Sequence, residues 1–142
     1  MKTISQNLLR LGEYSGKMAQ GDYDAVYEYF GDDFFTHVTE RVKPDMVGKD
    51  VRGEERIFWE AGKNAFDNYE FKVNLLVESG DIIVSNWSIT GIHSKGPYYG
   101  IPPSGKPVHI NGTAIMRMKD GKVVEHWGGP HCMDGIGLHK QC

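Results

Sequence analysis

From residue 71 onward two tight turns divide the chain into runs that read as strands, and this constrains the fold most. FKVNLLVES (71–79) meets Gly80-Asp81 and continues as IIVSNWSITGIH, in which Ile83, Ser85, Trp87 and Ile89 fall on one face of a period-two pattern. A loop rich in Gly and Pro, SKGPYYGIPPSG, leads into Lys106 to Met118. The turn Lys119-Asp120-Gly121 then returns the chain through Lys122 to Trp127. The pattern predicts hairpins in a mostly antiparallel sheet.

The first half reads differently. Ile4, Leu8, Leu11 and Met18 recur at helical spacing, predicting an amphipathic helix over about 3–20 that stops at Gly21. Asp22 is placed to cap a second helix, Tyr23 to Phe30, with Tyr23, Val26, Tyr27 and Phe30 on one stripe. A brief strand, Phe34 to Val38, precedes the polar stretch ERVKPDMVGKDVRG, which reads as an ordered loop over a pocket mouth. A third helix, Glu54 to Phe66, sets Ile57, Phe58, Ala61 and Ala65 on one side with Trp59 beside them. Three helices followed by a sheet give an α+β domain with the helices on one sheet face.

At 142 residues the chain fits a single domain spanning 1–142. Its charge of −3 is spread over 16 basic and 19 acidic residues without a basic block, which argues against nucleic acid as a partner. Arg10, Glu13 and Lys17 interrupt the apolar runs of the first twenty residues, so neither a signal peptide nor a membrane span is expected, and the location is read as cytoplasmic. Cys132 and Cys142 do not make a disulfide framework for a chain of this size and are read as free thiols. A nucleophilic role for Cys132 would need a thiolate-stabilising setting, which the nearby His131 could help supply.

Four segments, AQGDYDAVYEYFGDDF, WSITGIHSKG, YGIPPSGKPV and RMKDGKVVEHW followed by DGIGL, resemble in order and spacing the SnoaL-like polyketide cyclases of the NTF2-like superfamily. The resemblance implies a cone: three N-terminal helices packed on a curved sheet that encloses a hydrophobic pocket. It also implies an aldol cyclisation with an aspartate directly after the last strand's Trp as acid/base. This chain has Gly128 there, and Ala114 and Gly112 where the resemblance implies further polar groups. Gly and Ala exchange no protons, so the cyclase machinery does not transfer by position.

Other residues then become candidates. If position 128 faces the pocket, a regular strand brings Val124 and His126 to the same face and turns Glu125 and Trp127 away. His126 is the leading acid/base, because an imidazole with a reference pKa of about 6.5 can take and return a proton at neutral pH. His37 lies near the acid/base position of related NTF2-like isomerases. Tyr14 resembles in place the tyrosine that stabilises an oxyanion in ketosteroid isomerases. Trp59, Trp87, Ala114, Met116, Gly128, His131 and Asp134 are the expected pocket residues, with Asp134 also suited to a cap and the segment after Trp127 expected to fold across the entrance. The small residues at 112, 114 and 128 should enlarge the pocket. His126, His131, Cys132 and His109 lack the spacing and strand parity of a metal site, so no metal and no cofactor are expected.

The expected function is a cofactor-independent isomerase or cyclase moving protons on a mid-sized apolar carbonyl compound, polyketide- or terpenoid-like. The alternatives are a non-catalytic binding protein of the same fold and, further off, a limonene-type epoxide hydrolase, which needs an Asp-Arg-Asp group in the pocket. A homodimer is expected through the outer sheet face, where Ile115, Arg117, Glu125 and Trp127 would otherwise meet water.

Overall fold

The computed structural model describes residues 4–38 and 51–136. Helix α1 spans Gln6–Ala19. Ser5 caps it by accepting a hydrogen bond from the Leu8 N–H, and the Ser5 hydroxyl donates in turn to Glu78. A single 3-10 turn, Tyr23–Ala25, and the short helix α2, Val26–Tyr29, lead directly into strand β1, Phe30–Thr36. Helix α3 spans Arg52–Ala65, and four long strands follow: β2 Phe66–Ser79, β3 Ile82–His93, β4 Pro107–Lys119 and β5 Lys122–Asp134. The loop expected to cover the pocket mouth lies mostly outside the described residues; its last residues begin α3.

The five strands form one sheet in the order β1-β5-β4-β3-β2, antiparallel throughout except for the parallel β1–β5 pair. This is the open, curved, mostly antiparallel sheet with three helices that the sequence predicts. The helices bury Leu11, Tyr14 and Met18 of α1, Val26 and Tyr29 of α2, and Phe58 and Trp59 of α3 against it. On β3 the alternation holds: Ile83, Ser85, Trp87 and Ile89 are all buried.

Several apolar stripes shift by a residue. Ile4, Tyr27 and Ile57 are exposed, while Tyr29 and Trp59 are buried. The reason on α2 is its shortness: one turn of helix running straight into a strand presents Tyr29 and Phe30 inward and leaves Tyr27 to solvent. On β5 the strand runs seven residues beyond Trp127, so the segment expected to fold across the entrance instead extends the sheet, with Asp134 opposite His109. Two bulges interrupt it. Arg117 pairs with Glu125 but Met118 pairs with Val123, so Val124 is the extra residue, and Val123 takes the buried place expected for Val124. Asn111 pairs with Cys132 but Gly112 with Pro130, which makes His131 the second extra residue.

Cys132 is disulfide-bonded, which corrects the expectation of a free thiol there and removes it as a nucleophile; Cys142 lies outside the described residues. A disulfide belongs to oxidising compartments, so it lends no support to a cytoplasmic location. No helix among the described residues is long and apolar enough to cross a membrane.

Candidate functional site

The register of the sheet sets up the site row by row. On the inner face Ile83, Met116 and His126 lie opposite one another across β3, β4 and β5. The next row is Leu76, Ser85, Ala114 and Gly128, and the one after it pairs Val73, Trp87 and Gly112. Large side chains in the outer rows and small ones between them leave a trough. The helices roof it, leaving a partly open cavity of roughly 210 Å³. Its wall is apolar apart from Tyr14, Ser15, Glu55, Ser85 and His126.

The aromatic part of the wall is self-supporting. Trp87 packs edge-on to Phe58 at 5.4 Å and stacks with Phe71 at 5.8 Å, while Trp59 meets Phe71 at 4.5 Å and Tyr14 at 6.2 Å. The expectation that Gly112 and Gly128 enlarge the pocket needs correction. A Cβ at 112 would stand 2.3 Å from the Trp87 ring, so the indole already occupies that space. A Cβ at 128 would stand 2.0 Å from the Thr113 carbonyl oxygen, aimed into β4 rather than the cavity, because Gly128 has φ of +98°. Of the three small positions only Ala114 opens the wall, and Gly129, not Gly128, contributes to it.

His126 is buried on this wall. Its Nδ1 lies 3.5 Å from Glu55 Oε1 and 3.5 Å from Thr36 Oγ1. The parallel β1–β5 register, with Thr36 opposite His126 and the His37 N–H donating to the His126 carbonyl, fixes the strand beneath it. Thr36 is held by the Val38 N–H, which donates to its hydroxyl. Glu55 comes from the first turn of α3, with only 11 % of its side chain exposed. Neither Glu55 nor Thr36 is an expectation of the sequence reading. A signal existed: Glu55, Phe58, Trp59 and Gly62 make one helical stripe, all buried, with the carboxylate at its head.

The remaining candidates separate. Tyr14, Trp59, Trp87, Ala114 and Met116 join His126 on the cavity wall. His37 does not. It stands on the opposite face of the sheet, its Nε2 2.7 Å from Glu125 Oε2 and its ring stacked on Trp127 at 4.8 Å and 3°. Gly128 and His131 border a shallow groove on that same outer side together with His37, and Asp134 lines neither hollow. Arg117 is also an outer-face residue, donating to Asp81 and Glu125, and no Asp or Arg lines the cavity among the described residues. The Asp-Arg-Asp grouping of a limonene-type hydrolase is therefore not assembled by the described residues. No cluster of three His, Cys, Asp or Glu among them is arranged to hold a metal ion.

The outer pairing has its own consequence. The hydrogen bond with His37, then that with Arg117, holds the Glu125 carboxyl below the usual carboxylate range, partly opposed by desolvation. A group depressed on folding contributes stability above its unfolded pKa and loses it as pH falls through the folded value. The melting-temperature difference between wild type and Glu125→Gln should therefore be present at pH 6 and shrink as pH falls below the ordinary carboxylate range; a difference that does not shrink with acidification would contradict this. Because the group is exposed, the effect is small.

The fold and this geometry can be set beside known proteins. The family model of the SnoaL-like polyketide cyclases matches residues 11–142, nearly the whole chain. The chain belongs to that family. Among solved structures it is similar to TsrD from Streptomyces laurentii, with a TM-score of 0.72, 20% identity, and coverage of 97% of this chain and 96% of that one. IdmH from Streptomyces antibioticus gives 0.70 and 21%, covering 89% and 92%. A SnoaL-like polyketide cyclase from Agrobacterium tumefaciens gives 0.67 at 10% identity, covering 89% and 92%. At such identities these likenesses speak to fold alone. No curated protein sequence matches the chain.

Proposed function

We propose that this SnoaL-like protein is a cofactor-independent isomerase or cyclase that moves a proton on a small apolar carbonyl compound, with His126 as the acid/base. The observation that carries this reading is the His126–Glu55 pair, buried in the wall of an otherwise apolar cavity. A carboxylate beside Nδ1 favours the proton on that nitrogen and leaves Nε2, on the other edge of the ring, as the base a ligand would meet. The 3.5 Å separation is loose, as such contacts often are before a ligand tightens them. Tyr14, on the facing helix, is suited to donate to the oxygen of the enolate as it forms. His37, on the far side of the sheet, has no part in this step.

The reading has a test that does not wait for the natural substrate. Small enolisable ketones incubated with the protein in deuterium oxide should exchange their α-protons faster than in buffer, as followed by NMR. The absence of exchange across such a series, with binding retained, would favour the second reading, a non-catalytic binding protein. That alternative draws on Gly128, which carries no acid where the cyclase pattern has one.

A homodimer through the outer sheet face goes with this proposal. Val77, Val84, Ile115 and Trp127 form one apolar row across four strands on that face, continued by Leu75, and both Val77 and Leu75 are exposed. A second copy would cover it. Light scattering at tens of micromolar should give twice the chain mass, and a monomer mass would refute this.

A further inference from the structure

The middle of the cavity wall holds a polar group that the proton-transfer reading does not use. Ser85 is 7 % exposed and lines the cavity from β3, a hydroxyl set into a mostly apolar wall. Its cross-strand neighbour on one side is Ala114, whose methyl group is too short to cover it, and on the other Leu76. The rows on either side present Ile83 and Met116, and Trp87. A hydroxyl on such a wall that a ligand covered without matching it would cost about 1–3 kcal/mol for the lost hydration. A hydrophobic residue of similar size would fill the same place without that cost. The hydroxyl is therefore best accounted for by a partner that arrives with the ligand.

Position gives the geometry of that partner. Ser85 and His126 are two strands and two residues apart, roughly 12 Å between backbones on a flat sheet. Both side chains lean into the same hollow, so the gap a ligand must span is shorter. The cavity, at roughly 210 Å³, is below the ~300 Å³ at which ordinary drug-sized pockets begin, which suits one or two fused rings rather than four.

We propose that Ser85 is a specificity-determining residue that donates its hydroxyl hydrogen to an oxygen of the ligand remote from His126, so that the site selects small mono- or bicyclic compounds oxygenated at both ends. The inference rests on the cavity being the ligand site named above. It deepens that reading by assigning the ligand's orientation: the reacting carbon at the His126 end, the second oxygen in the trough beside Ala114. No covalent step is involved, and Ser85 keeps its proton.

The test uses two probes of equal shape, 2-acetylnaphthalene and 2-ethylnaphthalene, with binding followed through the quenching of tryptophan fluorescence. Wild type should bind the ketone about 3- to 10-fold more tightly than the hydrocarbon, the range expected for one neutral hydrogen bond. Ser85→Ala should bring the ratio to about one while leaving hydrocarbon affinity unchanged. Tyr14→Phe and His126→Gln should keep the preference. An unchanged ratio in Ser85→Ala, a ratio lost only in Tyr14→Phe, or no binding of either probe to wild type would overturn the proposal. Should Ser85→Ala not fold, the infrared carbonyl stretch of the bound ketone decides: a shift to lower wavenumber that survives in Tyr14→Phe supports Ser85 as donor, and no shift overturns it. A Ser85-dependent preference in a protein that exchanges no α-protons would remove the catalytic reading and leave this one standing.

Discussion

Replacing His126 by Gln is expected to lower the rate of proton transfer by about 10²- to 10⁴-fold while leaving ligand affinity within several-fold. Glutamine preserves a hydrogen-bonding group on the cavity wall but cannot carry a proton between carbon and solvent. The loss corresponds to about 3–5 kcal/mol of transition-state stabilisation. Glu55→Gln should reproduce part of it, since the carboxylate sets which ring nitrogen is basic but does not itself meet the substrate. The measurement is α-proton exchange into deuterium oxide, with affinity determined separately on the same ketone. Full exchange in His126→Gln would remove the imidazole as acid/base. Loss of folding in that variant would show the histidine to be structural, and circular dichroism distinguishes the two.

How far the sequence led to this site can be judged from single residues. The inward face of β3 was legible because nothing disturbs its alternation: Ile83, Ser85, Trp87 and Ile89 are buried, and the residues between them are less so. Inward placement of His126 was legible for the same reason. Val124 was not, because a bulge opposite Arg117 and Met118 hands the buried place to Val123. A bulge is a property of two paired strands, and one strand's pattern does not contain it.

Glu55 was hidden by a respectable alternative. An acidic residue in the first turn of a helix complements the helix dipole, and Glu54 and Glu55 both satisfy that rule. Only the alignment of Glu55 with Phe58, Trp59 and Gly62 marks one of the two as inward-facing. His37 was misplaced by a different route: it directly follows β1, and the β1–β5 register that sends Thr36 to the inner face sends its neighbour to the outer one. Ser85 was seen to face inward, but its significance depends on Ala114 and Leu76 standing beside it, which only the register shows.

Restoring the family's carboxylate by Gly128→Asp is expected to destabilise the fold rather than to create a cyclase. Gly128 has φ of +98°, a conformation that costs a side-chain-bearing residue about 1–3 kcal/mol. The new Cβ would also stand 2.0 Å from the Thr113 carbonyl oxygen, and that contact is with backbone, so it can be relieved only by moving β4. Overpacking of this kind adds about 1–3 kcal/mol. The sum, about 2–6 kcal/mol, is a large part of the ~5–15 kcal/mol that holds an ordinary domain together. At this size, roughly 3 °C is lost per kcal/mol, so the melting temperature should fall by about 6–18 °C. Ala114→His is the control, since that position lies on the cavity wall at an ordinary strand conformation and should accept a polar side chain with a smaller loss. If Gly128→Asp melts within a few degrees of wild type, the backbone at 128 can adopt a regular strand conformation, and the absence of a carboxylate there is a matter of chemistry alone. If it melts as expected, position 128 is closed to a carboxylate in this chain, and the proton-transferring group that the proposed function requires would stand elsewhere on the wall, where His126 and Glu55 already face each other.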